Sequence, residues 1–175
     1  SGGKFSLGIG SQVKAHIEKR FGTPFSPPAA RMRDYILALK AIFDCWQNGA
    51  PMEYRGEYFQ HTLMTPMFNA GPLEVGPPPV LLGALGPLMT EVAGEVADGL
   101  IVHPFNSMPF LTGHALPAVE RGLAKSGRSR AAFTLQINAI VITGEDEETM
   151  AAARKSVRDL LGFYASTPAY RPPME

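Results

Sequence analysis

Gly83, Ala84, Leu85, Gly86, Pro87 and Leu88 follow the apolar run Val80–Leu82 and open a helix whose apolar residues, Leu88, Met89, Val92, Ala93 and Val96, recur at helical spacing as a buried stripe. Where a strand gives way to a helix, the first amides of the helix have no partner within it. Those amides and the positive end of the helix dipole attract an anion, and glycine lets a phosphate come close because no Cβ intervenes. A tight Gly-Pro turn without a ligand would use the same residues. Gly8, Gly10 and Ser11 repeat the arrangement after an earlier strand-like stretch. Gly8-x-Gly10 opens a dinucleotide fingerprint. Val13, however, fills the place of the third glycine, and no acidic residue ends a following strand about twenty residues later. The Rossmann reading fails on those two counts.

His103 ends another apolar run, Leu100–Val102, where it would donate a proton or hydrogen-bond a ligand, or simply line the mouth as a polar residue. His16, His61, His103 and His114 lack the short spacings of a metal cluster, so no metal site is expected. Cys45 is the single cysteine, which excludes an internal disulfide and fits a reducing, cytoplasmic setting. It falls inside an amphipathic helix and reads as buried and inert. Arg31 and Arg33 read as surface charges, and Met64, Met67 and Met89 as core or pocket filling. No nucleophile elbow, P-loop lysine or zinc-protease helix is present, which leaves hydrolase and kinase readings without support.

The elements that would position these residues alternate. Lys4–Ile9 reads as a strand ending at a glycine turn, and Ser11 as the cap of a helix running through Arg20. Ser26-Pro27-Pro28 opens a long helix whose apolar face includes Met32, Tyr35, Ile36, Leu39, Phe43 and Trp46, closed by Asn48 and Gly49. Met52–Tyr54 and Glu57–Gln60 suggest a hairpin around Arg55 and Gly56. Val80–Leu82 and Leu100–Val102 are short buried strands. A helix over Leu116–Lys125 precedes a long strand, Phe133–Thr143, and a last helix begins among Glu145–Glu148, where acid suits the dipole. Arg171–Glu175 is a proline-rich stub. Strand and helix thus alternate about four times, which makes a parallel sheet with helices outside it.

At 175 residues, 45% of them hydrophobic, the chain suits a single domain over residues 1–175. Sixteen basic and sixteen acidic residues balance, which favours a small-molecule partner over nucleic acid or an anionic membrane. The longest apolar runs are too short to span a bilayer.

Three ordered segments carry a resemblance. SGGKFSLGIGSQVKAHIEKRFG, RMRDYILALKAIFDCWQNG with YRGEYFQ, and GALGPLMTEVAGEVADGLIVHPF resemble the bacterial luciferase-like monooxygenase superfamily, in particular its oxidoreductases that use the deazaflavin coenzyme F420. The resemblance implies an α/β fold, a partial TIM (β/α)8 barrel with a hairpin insertion and the cofactor at the C-terminal face. Gly83, Ala84, Leu85, Gly86, Pro87 and Leu88 would approach the cofactor phosphate. Gly8, Gly10 and Ser11 would line the same mouth, and His103 would face it as the catalytic candidate. A full barrel has eight strands; this chain supplies about four, so it reads as a fragment lacking the early strands and the last one. Its open edges would invite pairing with another chain, consistent with a homo-oligomer. FMN in place of F420, a non-catalytic half-barrel assembly module, and another phosphate-binding barrel enzyme are the alternatives.

Overall fold

A computed structural model describes residues 2–171 and 173. Four parallel strands form the sheet: β1 (Leu7–Gly10), β4 (Val80–Ala84), β5 (Gly99–Val102) and β6 (Thr134–Ile137), lying side by side in that order. Between β1 and β4 come helix α1 (Pro28–Asn48) and a small antiparallel hairpin, β2 (Tyr54–Arg55) with β3 (Gln60–His61). Helix α2 (Pro87–Val96) links β4 to β5. A single turn, α3 (Met108–Phe110), then passes through a π-type turn, Leu111–Ala115, into α4 (Leu116–Ser126), which leads to β6. Helix α5 (Glu147–Ser166) follows, and a capping box starts it: Asp146 accepts from the Thr149 amide at 2.8 Å while the Thr149 hydroxyl accepts from the Asp146 amide at 3.1 Å.

Register decides which side chains meet the helices. Ile9 stands beside Leu82, Leu82 beside Leu100, and Leu100 beside Leu135. This row packs with Ile36 of α1, Val92 and Val96 of α2 and Val119 of α4 into one core. Because side chains alternate along a strand, Gly10, Gly83, Ile101 and Gln136 form the row on the opposite face. Helices α2 and α4 approach until backbones touch. A Cβ at Gly94 would lie 2.3 Å from the Val119 carbonyl oxygen, and one at Gly122 would lie 2.0 Å from that of Glu91.

Asp98, in the Ala-Asp-Gly run before β5, is a structural clamp. Its carboxylate accepts from the Val80 amide at 2.8 Å and from Lys40 Nζ at 2.7 Å, tying the start of β4 to α1.

Four elements differ from the sequence expectation; in the hairpin Arg55 belongs to β2 rather than to the turn, and β3 begins at Gln60 rather than Glu57. The first strand begins at Leu7 rather than Lys4, because its neighbour β4 is preceded by Pro77–Pro79, which lack amides for a ladder; the last contact is Leu7 N–H to the Pro79 carbonyl at 2.9 Å. The final strand stops at Ile137 rather than Thr143, because β5 ends opposite it at Val102. Ser11 caps no helix; Gln12 takes a left-handed φ of 58°, and only a π-type turn, His16–Arg20, forms beyond it. Met67 is exposed rather than filling a core, whereas Cys45 is buried as expected. Most of the Arg171–Glu175 stub lies outside the described residues.

Candidate functional site

The C-terminal ends of β1, β4 and β5 open onto one groove of about 1270 Å³. On one side lies the corner between β4 and α2. Gly86, in extended conformation, precedes Pro87, which occupies the first helical position. Pro87 suits that place because its missing amide would have had no partner there. The first intrahelical bond runs from the Thr90 amide to the Gly86 carbonyl at 3.0 Å, and the Thr90 hydroxyl donates to the same oxygen at 2.9 Å. That leaves the Leu88 and Met89 amides with no protein acceptor among the described residues. A Cβ at Gly86 would meet nothing within 4 Å, and Leu88, expected in the buried stripe of the helix, is 71% exposed because it stands in the first turn at the rim of the groove. The corner is open, and its donors are free to hold an anion.

Beside this corner the chain leaves β1, whose Gly10 is in register with Gly83, through Gly10, Ser11 and Gln12, all of which line the groove. A left-handed conformation is uncommon for a residue with a side chain, and Gln12 adopts it just where the chain leaves β1.

His103 lines the groove from the end of β5. Its Nδ1 accepts the Phe105 amide at 3.1 Å, so in the neutral ring the hydrogen resides on Nε2. Tyr170 stacks on the imidazole with centroids 4.5 Å apart, and Tyr164 meets it edge-on at 4.8 Å. Burial among these rings holds the histidine below its usual pKa. It therefore presents a neutral Nε2–H donor at neutral pH.

Acidic side chains along the groove are already paired. Glu91 meets Lys125 at 2.6 Å and Arg121 at 3.0 Å, and hydrogen bonds from these two cations hold its carboxyl below the ordinary range. Glu95 meets Arg33 at 2.7 Å. The groove wall along α2 thus offers no unpaired carboxylate to repel an anion.

Gly10, Ser11, His103 and all six residues from Gly83 to Leu88 line one cavity. Gly8 does not. It sits one pleat deeper, where a Cβ would come 3.1 Å from the Ile101 side chain. Two features carried no mark in the sequence reading. One is the aromatic enclosure of His103, with Tyr170 stacked on it and Tyr164 edge-on. The other is Asp34, buried on α1, which accepts the Tyr58 amide at 2.6 Å, the Phe59 amide at 2.9 Å and the Tyr54 hydroxyl, so that the hairpin is seated on its carboxylate. A Tyr-Arg-Gly run after an amphipathic helix bearing an acid was the available signal.

The profile of the family described as luciferase-like monooxygenase matches residues 1–175. The chain belongs to this family. An uncharacterized protein of Mycobacterium tuberculosis is 46% identical over 175 residues, covering 100% of this chain and 52% of its own length. The 5,10-methylenetetrahydromethanopterin reductase of Archaeoglobus fulgidus is 31% identical over 165 residues, covering 93% of this chain and 45% of the relative. Among solved structures, the coenzyme F420 dependent tetrahydromethanopterin reductase of Methanopyrus kandleri superposes with a TM-score of 0.67 at 25% identity, over 93% of this chain and 48% of that one. The chain spans about half the length of the relatives it matches. Its parallel α/β sheet matches that F420-dependent reductase and corresponds to a partial barrel of the luciferase-like fold.

Proposed function

We propose that this chain is the cofactor-anchoring part of an oxidoreductase that moves a hydride between coenzyme F420 and a small organic substrate. The observation that carries the reading is the open corner at Gly86, with the Leu88 and Met89 amides unpaired and facing a groove large enough for a fused-ring cofactor. A phosphate would be held by those amides and by the dipole of α2. When bound, the deazaflavin ring supplies the hydride chemistry, and it carries carbon where a flavin reacts with oxygen. The protein's share is orientation. Gly10 and Gly83 leave space over the sheet ends, and His103 offers a hydrogen bond from Nε2 to whatever lies in the mouth. The likeness to the coenzyme F420 dependent reductase of Methanopyrus kandleri supports F420 over FMN.

Absorbance titration of the purified protein with F420 and, separately, with FMN tests this. Saturable F420 binding is expected, weakened at least about tenfold, or ~1.4 kcal/mol, by Leu88→Asp, which sets a carboxylate beside the free amides. The same substitution should leave the melting temperature unchanged or raised, because acid in the first helical turn favours the helix. Equal F420 affinity in the variant would remove the corner from the reading, and preference for FMN would turn the enzyme into a flavoprotein.

A further inference from the structure

A second cavity of about 250 Å³ opens beside Gly10 and Ser11 and shares Phe25 and Pro28 with the groove. Its walls are apolar and aromatic: Ile17, Pro24, Phe25, Met32, Tyr35 and Phe59. Tyr35 and Phe59 pack together with centroids 5.3 Å apart, so this wall is a firm surface joining α1 to the hairpin. One cation belongs to the lining. Arg31 donates to the Ser26 hydroxyl at 3.3 Å, and its guanidinium lies 5.5 Å from the Phe59 ring centre. Among the described residues no carboxylate lines this cavity and Arg31 forms no ion pair, whereas Arg33 two positions later is paired with Glu95. A guanidinium held over an aromatic face at an apolar pocket, with most of its donors unused, suits a planar carboxylate approaching edge-on.

Resting on the reading of the groove as a cofactor site, we infer that this side pocket is the substrate end of the site. It takes a small molecule with an apolar ring or short branched chain and a single carboxylate. The apolar body lies among Phe25, Met32, Tyr35 and Phe59, and the carboxylate meets Arg31. A phosphate ester fits less well, since one guanidinium matches one negative charge and the lining holds no second cation. Through the shared Gly10, Ser11, Phe25 and Pro28 the pocket adjoins the groove.

The test is calorimetric titration of the purified protein, without cofactor, with phenylacetate, its neutral amide phenylacetamide, and phenyl phosphate. Phenylacetate is expected to bind at least tenfold more tightly than phenylacetamide. Arg31→Gln should abolish that preference and Arg31→Lys should restore part of it, with circular dichroism unchanged because Arg31 is exposed. Equal binding of acid and amide, or a preference that survives Arg31→Gln, overturns the assignment. Tighter binding of phenyl phosphate overturns the carboxylate class. F420 titrated into the same variants reports on the groove by itself: retained F420 binding with no phenylacetate binding removes the pocket and leaves the cofactor reading standing.

Discussion

His103 couples the groove to acidity. Its imidazole is held below the unfolded value near 6.5 by burial against Tyr164 and Tyr170. The unfolded chain therefore takes up the proton first as pH falls. The histidine's contribution is present above the unfolded value and is lost as pH drops through the lower folded one. Melting temperatures measured from about pH 7 down to about pH 5 should fall, and His103→Gln should flatten part of that slope. A slope unchanged by the substitution would mean that the ring titrates as freely as in water. At this scale the groove was largely legible in the sequence: glycine and proline between an apolar run and a helix have a local meaning that survives folding. Gly8 was the exception, since Gly8 and Gly10 look alike as letters and only the pleat separates the residue at the mouth from the one beneath it.

Among the elements, the hairpin is the one that a single buried acid holds. Burial raises the Asp34 carboxyl, but hydrogen bonds from Tyr54, Tyr58 and Phe59 outweigh it and leave the group below its usual 3.8, while desolvation and the same carboxylate push the Tyr54 hydroxyl up to about 12. This contribution exists above the unfolded carboxyl value and disappears as pH falls through the lowered one. Asp34→Ala should cost about 1–3 kcal/mol in urea denaturation by stranding those donors. Gly56 lies directly on the carboxylate, where an added Cβ would come 1.8 Å from Oδ1. Gly56→Ala should cost a similar amount, about 1–3 kcal/mol, as overpacking. The two should be strongly non-additive, because removing the carboxylate clears the space the methyl needs. The sequence placed the hairpin, though with its second strand begun at Glu57, three residues before Gln60, and it did not show the anchor. Asp34 reads as one polar position on a helix, and besides the Tyr54 hydroxyl its partners are backbone amides 24 and 25 residues away that no side-chain type announces. The strand ends were misjudged for a related reason: Lys4–Ser6 and Asn138–Thr143 have strand composition, but a strand needs a neighbour, and the neighbours end first.

At the level of the whole molecule, β1 and β6 are both edges of a parallel sheet, and apolar residues crowd them: Phe5 is 54% exposed, Ile137 58% and Val141 72%. Helix α5 adds Leu160 and Phe163 to the uncovered surface. Expressed alone, these 175 residues should self-associate in size-exclusion chromatography with light scattering, and Ile137→Lys should raise the monomer fraction by charging one edge. A strictly monomeric chain would mean that the edges are covered in some other way. The contact of α2 with α4 has a consequence for kinetics. Gly94 and Gly122 leave no side chain between those two backbones to act as a spacer, so the first turn of α2 has nothing to slide on and keeps its aim whether or not a ligand is near. A receptor of fixed shape needs no rearrangement before capture. Stopped-flow traces of F420 association should accordingly be single-exponential, with a rate that climbs in proportion to concentration and does not level off.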